Sequence, residues 1–191
     1  MCGIVGFAAT SPLSPCKALS VARDTLLHRG PDDAGEWWSQ DGRVGLAHRR
    51  LSIFDISPLG HQPMHIAESG LSTVFNGEIY NFIAIRRELQ SLGYVFRSQS
   101  DTEVLLAAYA QWGIECLARF NGMFAFALYD APMKKLFLCR DRAGEKPLYY
   151  TINNNAIHFA SELKALLDFP GMSRSIDPEA LGCYVYGFCA R

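Results

Sequence analysis

Residues 123–129, Met-Phe-Ala-Phe-Ala-Leu-Tyr, are almost wholly apolar and limit the folds open to this chain more than any other stretch. A strand with this pattern has no polar face, so both of its faces must be covered by other layers. The turn-forming stretch 130–135 and the apolar run 136–139 predict an antiparallel partner strand. Two stacked sheets would bury such a strand on both faces, and the sequence therefore predicts a layered fold.

The rest of the chain predicts further helices and antiparallel strands. Helical spacing of apolar residues predicts a helix over residues 15–28, which ends at Arg29-Gly30-Pro31. Two more helices are predicted over residues 82–92 and 102–112, with Asn81 and Asp101 as N-caps. A strand over residues 71–75 is predicted to stop at Asn76-Gly77. The other predicted elements are strands over 36–39, 44–48, 147–152 and 156–160 and a short helix over 162–167. Hairpins combined with paired helices indicate an α+β fold with helices packed on sheets.

Composition excludes several classes of protein. With 191 residues, 49% of them apolar and 19% charged, the chain has the composition of one soluble globular domain. A formal net charge of −1 argues against a nucleic-acid-binding or membrane-surface protein. No apolar run approaches the roughly 18–20 residues of a membrane span, and the N-terminus lacks the basic start of a signal peptide. The six cysteines form no CxxC pair, which fits a reducing compartment. We expect a cytoplasmic protein.

His61 and His65 have the spacing of a metal-ligand pair. Pro63 lies between them and argues against the helix on which such a pair usually sits. We expect loop or core histidines here, and no metal site.

Cys2 directly follows Met1 and precedes an apolar, strand-forming run over residues 3–9. Methionine aminopeptidases remove Met1 when the next side chain is this small. Cys2 would then carry a thiol and a free α-amine, whose unperturbed pKa of about 7.7–8.0 lets it accept a proton near neutral pH. One residue would thus hold a nucleophile and its base, as in N-terminal-nucleophile enzymes. The alternative is that a cysteine stands at this position without a catalytic role.

Polar residues at strand ends and in loops could build a site around such a nucleophile. Asn76 and Gly77 could supply N–H donors to an oxyanion hole, although Asn-Gly is also a common turn. Arg50 could bind a carboxylate, and Asp101 could accept from an ammonium group. Taken alone, either residue could instead be a surface charge or a helix cap. Together, an anion site and a cation site match the backbone of an amino acid.

Several motifs resemble one known family. The start of the chain resembles that of class II glutamine amidotransferases, and the other motifs resemble the glutaminase domain of glutamine-dependent asparagine synthetase. The motifs that carry the resemblance are Met1-Cys2-Gly3-Ile4-Val5-Gly6, His28-Arg29-Gly30-Pro31-Asp32, His48-Arg49-Arg50-Leu51-Ser52-Ile53, Asn76-Gly77-Glu78-Ile79-Tyr80-Asn81, Ser100-Asp101, residues 122–127, residues 140–144 and residues 147–150.

The resemblance implies a role for each matching residue. Cys2 would attack the glutamine side-chain amide with its own α-amine as the base, and Asn76 and the backbone of Gly77 would form the oxyanion hole. Arg50 would bind the glutamine carboxylate. The substrate-binding set is completed by Glu78 and Asp101 at the α-amine and by backbone groups of Leu51 and Ile53.

The resemblance also implies a fold and partners. The expected fold is a four-layer αββα sandwich of two mostly antiparallel sheets, of the N-terminal-nucleophile hydrolase type, with residues 1–191 forming one glutamine amidotransferase domain. This half-reaction would need no cofactor. In the family, a second domain with a Ser-Gly-Gly-x-Asp-Ser loop uses ATP and Mg to activate an acceptor. That string does not occur here. We expect the N-terminal part of a longer protein, in a family that often forms homodimers.

Alternatives remain at the level of function. The ammonia acceptor could be aspartate, or a sugar or uronic acid of a surface polysaccharide. A glutaminase-like module without activity, and a hydrolase acting on another amide, are the interpretations from other classes.

Overall fold

The computed structural model describes residues 1–13, 17–52, 57–153 and 155–187. Within these ranges the chain forms nine strands and five α-helices. The strands are β1 (Gly3–Ala9), β2 (Asp33–Trp38), β3 (Val44–Arg50), β4 (Met64–Ile66), β5 (Leu71–Ile79), β6 (Gly122–Asp130), β7 (Lys135–Arg140), β8 (Tyr149–Asn153) and β9 (Ala156–Ala160). The helices are α1 (Lys17–Asp24), α2 (Phe82–Ser91), α3 (Asp101–Trp112), α4 (Leu163–Leu166) and α5 (Pro178–Val185), with 3₁₀ turns at Pro58–Gly60 and Gly113–Arg119.

The strands form two antiparallel sheets. One has five strands in the order β2-β3-β1-β9-β8, and the other has four in the order β4-β5-β6-β7. β1 lies in the middle of the larger sheet, where Gly3 pairs with Arg49 of β3 and Val5 pairs with Ala160 of β9. The residue before β1, Cys2, is therefore held at the end of the central strand.

Three apolar clusters define the order of the layers. The two sheets pack face to face through residues such as Ile4, Leu46, Val74, Ala125 and Phe159. Helices α2 and α3 cover the outer face of the four-stranded sheet, with Leu89 and Leu105 fully buried against it. Helices α1 and α4 cover the outer face of the five-stranded sheet through residues that include Leu19, Ala22 and Leu166. The expected αββα sandwich of two antiparallel sheets is confirmed.

β6 lacks a polar face because both of its faces are covered. Phe124, Phe126 and Leu128 pack toward the helices, whereas Ala125 and Ala127 pack toward the other sheet. Successive side chains of a strand point to opposite faces, so the bulky residues fill the helix side and the alanines let the sheets approach.

One predicted boundary is wrong. β5 does not stop at Asn76-Gly77 but continues to Ile79, paired along its whole length with β6. A Cβ atom added at Gly77 would lie 2.3 Å from the carbonyl oxygen of Met123. Gly77 is therefore not a turn residue: its missing side chain allows the close approach of two paired strands.

The two predicted caps also differ from expectation. Ser100, rather than Asp101, caps α3, because its hydroxyl accepts a hydrogen bond of 3.1 Å from the N–H of Thr102. Asn81 occupies the cap position of α2, but its side chain bonds the backbone of Arg119 and Asn121 instead of the helix. The predicted helix over 15–28 is described from Lys17 to Asp24, and residues 15 and 16 lie outside the described residues.

The described helices give no membrane span, since none of them is both long and apolar enough to cross a bilayer. The apolar segment near the end of the chain forms α5, on which Tyr184 is 80% exposed.

Candidate active site

Cys2 is fixed by two backbone segments that come from different parts of the sequence. Its Sγ lies 3.7 Å from the carbonyl oxygen of Leu51, to which the thiol donates, and accepts from the Leu51 N–H at 3.5 Å. Arg29 donates from Nε to the Cys2 carbonyl oxygen at 2.9 Å and also binds Glu162 at 3.0 Å. The nucleophile candidate is thus held in place by the residue after β3 and by the half-buried Arg29.

A pocket opens in front of the Cys2 thiol. Seven of the eight residues predicted from the sequence line it together, and the eighth, Ile53, lies outside the described residues. The lining residues are Met1, Cys2, Arg50, Leu51, Gly60, Gln62, Phe75, Asn76, Gly77, Glu78, Ser100, Asp101, Thr102 and Lys146.

The side chains of the pocket share one strand face. Ile4, Leu46 and Val74 point into the space between the sheets. Positions two or four residues away point to the same side, because side chains alternate along a strand. Cys2, Arg50 and Asn76 stand at these positions. The site is therefore the polar end of the layer between the two sheets.

Asn76 is the most telling residue of the pocket. It is 1% exposed, and its Nδ2 makes no hydrogen bond to any part of the chain that the structure describes. A buried donor without a partner costs about 1–3 kcal/mol. A ligand oxygen in the pocket is the natural partner for such a group.

The backbone of β5 offers a second donor on the same strand. The N–H of Phe75 donates to Oε1 of Gln62 at 2.7 Å, and the N–H of Ile79 donates to Oδ2 of Asp101 at 3.0 Å. Both bonds lie on the edge of β5 away from β6, and N–H groups of alternate residues point to the same edge. Gly77 stands between them, so its N–H is directed to this edge as well.

Asp101 and Arg50 provide opposite charges. Asp101 is buried at the start of α3, and desolvation, with Glu78 nearby, raises the pKa of its carboxyl to about 6 despite the opposing hydrogen bonds from Ile79 and Thr102. Arg50 ends β3, is 6% exposed and donates to the carbonyl of Ser57 at 3.3 Å. A buried carboxylate and a buried guanidinium in one pocket suit the ammonium and carboxylate groups of an amino acid.

The electrostatics of Cys2 indicate that its thiol needs a base. Burial raises the pKa of the Cys2 thiol, although the Leu51 N–H, the α-ammonium of Met1, Arg50 and Arg29 oppose this effect. At neutral pH the thiol is therefore mostly protonated, and a nucleophilic attack requires a nearby proton acceptor.

Sequence reasoning missed four polar side chains of the pocket, those of Gln62, Ser100, Thr102 and Lys146. Lys146 is 7% exposed, and among the described residues its ammonium has no ion-pair partner. Lys146 lies between the motifs at residues 140–144 and 147–150, and this position is the one sequence feature that could have indicated a place in the site. Gln62 precedes a proline in a loop, where sequence alone gives no reason to expect a buried polar side chain.

The two histidines considered as metal ligands have separate partners. Nδ1 of His61 lies 2.7 Å from a carboxylate oxygen of Asp33, and Nδ1 of His65 lies 2.9 Å from the hydroxyl of Ser72. Within the described residues there is no cluster of three or more His, Cys, Asp or Glu side chains that could hold a metal ion.

Solved structures define the class of the fold. The chain resembles a glutamine phosphoribosylpyrophosphate amidotransferase from B. subtilis, with a TM-score of 0.71, 20% identity, and coverage of 86% of this chain and 42% of that one. A structure described as the allosteric regulatory enzyme of purine biosynthesis gives a TM-score of 0.70 at 20% identity, covering 87% and 43% of the two chains. The fold is that of the N-terminal-nucleophile amidotransferases.

Sequence comparison gives the family. Residues 1–190 match the family model described as a glutamine amidotransferase domain, and the chain belongs to this family. It is 41% identical to "Asparagine synthetase [glutamine-hydrolyzing] 1" of Bacillus subtilis, over 97% of this chain and 29% of that protein. It is 38% identical to "Amidase chry2" of Gibberella zeae, over 88% of this chain and 27% of that protein. The chain thus spans about 30% of the length of these curated relatives.

Proposed function

We propose that this domain hydrolyses the side-chain amide of glutamine through a thioester on Cys2 and releases glutamate and ammonia. The observation that carries the proposal is the buried Asn76 amide, which has no partner among the described residues and lines the same pocket as the Cys2 thiol. A carbonyl oxygen that becomes negatively charged beside Cys2 would supply the missing partner. Such a donor stabilises the transition state more than the bound substrate.

The base in this proposal is the α-amine of Cys2, freed by removal of Met1. Met1 lines the pocket and is 56% exposed, and its removal would leave the α-amine of Cys2 in its place. The raised pKa of the thiol makes such a base necessary. An amine on the same residue can reach the thiol proton directly.

The reaction proceeds in two steps. The α-amine accepts the thiol proton, the Cys2 sulfur bonds to the amide carbon of glutamine, and the amide oxygen gains negative charge in the hole formed by Asn76 and Gly77. The carbon–nitrogen bond then breaks, and the departing nitrogen takes the proton and leaves as ammonia. Water adds to the thioester carbon with the α-amine as base, the carbon–sulfur bond breaks, and glutamate leaves while the thiol regains a proton.

The remaining pocket residues bind the amino acid part of the substrate. Arg50 pairs with the α-carboxylate, Asp101 and Glu78 pair with the α-ammonium, and the backbone at Leu51 and Ile53 completes the pocket. Both charged pairs involve groups buried in the pocket or lining it, where charge-assisted hydrogen bonds are strongest.

The acceptor of the ammonia is aspartate in this proposal, because a relative with 41% identity is named a glutamine-hydrolysing asparagine synthetase. That relative is about three times as long, so we infer a following synthetase domain that uses ATP and Mg, whereas the glutaminase step needs no cofactor. We further propose a cytoplasmic location and subunit pairing. The alternative acceptor, a sugar or uronic acid, would require the same glutamine site in this domain.

Labelling tests the proposal. The purified chain is treated with 6-diazo-5-oxo-norleucine, a reactive glutamine analogue, and its intact mass is measured. We expect loss of Met1 and one label on Cys2, with labelling and ammonia release abolished in Cys2→Ala. Cys183→Ala is the matched control because Cys183 is another free cysteine, on the exposed helix α5, and it should label like the wild type. Protection by acyl-amino acids but not by glutamine would support a different amide substrate, and turnover by Cys2→Ala would remove Cys2 as the nucleophile.

A further inference from the structure

The free edge of β5 is the feature that leads beyond the proposed reaction. β4 pairs with β5 only from Leu71 to Thr73, so its ladder ends two residues before Phe75. The N–H and C=O of one strand residue point to the same edge. The backbone of Phe75 therefore faces an edge that β4 no longer covers, immediately before the two oxyanion donors Asn76 and Gly77.

Beyond the end of β4, the side chain of Gln62 supplies the hydrogen-bond partner for the backbone of β5. Its Oε1 accepts from the N–H of Phe75 at 2.7 Å, and its Nε2 donates to Oγ1 of Thr102 at 3.3 Å. Gln62 is 6% exposed and Thr102 is 1% exposed, so both hydrogen bonds lie in a buried environment. Because both ends of the amide are already engaged by the protein, Gln62 is suited to holding β5 rather than to binding the substrate.

His48 holds the other half of the same residue. Nε2 of His48 lies 3.1 Å from the carbonyl oxygen of Phe75. Complete burial lowers the pKa of the His48 imidazole to about 3, so the ring is neutral and Nε2 carries the hydrogen that is donated to Phe75. Side chains from two separate segments thus bind the N–H and the C=O of Phe75.

We propose that Gln62 is a positioning residue for the oxyanion hole: through Phe75 it fixes the part of β5 that carries the Asn76 amide and the Gly77 N–H. This inference rests on the proposed function. An oxyanion donor must lie about 2.7–3.1 Å from the developing charge, so a shift of a few tenths of an ångström in β5 weakens it. The same shift hardly affects Arg50, which extends from the other sheet and binds the far end of the substrate.

The test compares Gln62→Met with Gln90→Met, each in the otherwise unchanged chain. Methionine has nearly the volume of glutamine but offers no hydrogen bond to Phe75. Gln90 lies on the exposed side of α2, and its replacement should leave kcat and KM unchanged. For Gln62→Met we expect kcat for glutamine hydrolysis to fall about 10- to 100-fold, below the loss for direct removal of an oxyanion donor. KM should change far less than kcat, because Arg50 and Asp101, which bind the two charged groups of the amino acid in the proposed function, lie on β3 and α3 rather than on β5.

A second readout separates positioning from a general structural effect. Glutamate γ-semialdehyde adds to a thiol and places a charged oxygen in the oxyanion hole, whereas glutamate binds without forming a bond. Gln62→Met should lose affinity for the semialdehyde by the same factor as kcat and keep its affinity for glutamate. Amide hydrogen exchange at Phe75 should become faster in Gln62→Met, and this readout requires no enzymatic activity.

Each outcome decides between the claims. Wild-type kcat in Gln62→Met, or an equal loss of affinity for both ligands, would overturn the positioning role while leaving the glutaminase proposal intact. A wild-type chain that releases no ammonia from glutamine would overturn the proposed function and this inference with it. If Gln62→Met does not fold, Thr102→Val replaces it, since this change removes the acceptor for the Gln62 amide and keeps the size and branching of the side chain. The same selective loss of semialdehyde affinity is then expected, and its absence would overturn the inference.

Discussion

At the scale of single residues, the buried carboxylate of Asp101 lowers the stability of the folded domain at neutral pH. Asp101 has a pKa raised from its ordinary 3.8 to about 6 by burial. The folded chain binds the proton of this carboxyl more tightly than the unfolded chain does. The contribution of protonated Asp101 to the free energy of unfolding is therefore fully present below pH 3.8 and is lost as the pH rises through about 6. In the proposed function, the ammonium group of a bound amino acid would offset this cost.

Asp101→Asn should therefore stabilise the free domain at neutral pH. The interval between 3.8 and about 6 corresponds to at most about 3 kcal/mol, and we expect a gain of about 1–3 kcal/mol at pH 7.5 that shrinks toward zero at pH 4. The asparagine oxygen can still accept from the N–H of Ile79. Urea unfolding at the two pH values measures the gain, and glutaminase assays should show weakened glutamine binding. A variant less stable than the wild type at pH 7.5 would contradict this account of Asp101.

Arg50 tests the other end of the substrate. Arg50→Ala should raise KM for glutamine by about 10- to 150-fold, since a hydrogen bond to a charged group contributes about 1.5–3 kcal/mol. Arg43→Ala is the matched control, because Arg43 directly precedes β3, at the end of the strand opposite to Arg50, and its side chain is 49% exposed and lies 3.8 Å from Asp41. Steady-state kinetics of the three proteins give the comparison. An unchanged KM in Arg50→Ala would remove Arg50 from the binding site.

At the scale of elements, alternation along three strands assembles the site. Cys2, Arg50, Asn76 and Glu78 share the face that Ile4, Leu46 and Val74 turn toward the opposite sheet. The strands carrying these residues were largely predictable from apolar patterns. The end of β5 was not, because Asn-Gly is a strong local turn signal. Pairing of β5 with β6 up to Ile79 overrides that local preference.

Gly77 is the point at which this override can be tested. Gly77→Ala should destabilise the domain by about 2 kcal/mol or more, because the new Cβ would meet the Met123 carbonyl oxygen at 2.3 Å and the Cα of Phe124 at 2.6 Å. Gly182→Ala is a control on α5, where a Cβ would have no neighbour within 4 Å, and it should be neutral or mildly stabilising. Thermal unfolding compares the two variants. Equal melting temperatures would show that the close approach of β5 and β6 imposes no constraint on residue 77.

At the scale of the whole molecule, the four layers bring together residues that are a hundred positions apart in sequence. Most of the helices and strands and the stacking of two sheets followed from apolar patterns, although β4 and α5 were not predicted. Seven of the eight residues proposed from the motifs line one pocket. Gln62, Thr102 and Lys146 were not predicted, because a side chain in a loop or at a helix start acquires its partners only through tertiary contacts. The family of the chain is established by comparison, whereas the ammonia acceptor stays a proposal, because the chain covers only 29% of the Bacillus subtilis relative.

The central claim, that Cys2 forms a covalent bond with the amide carbon of glutamine, can be tested by trapping the intermediate. The chain is mixed with glutamine, quenched with acid within milliseconds to seconds, and digested for mass spectrometry. The account predicts a γ-glutamyl group on the sulfur of a peptide that begins at Cys2, together with one ammonia released per adduct in the first turnover. Ammonia release without any adduct on Cys2, or an adduct on another cysteine, would contradict it.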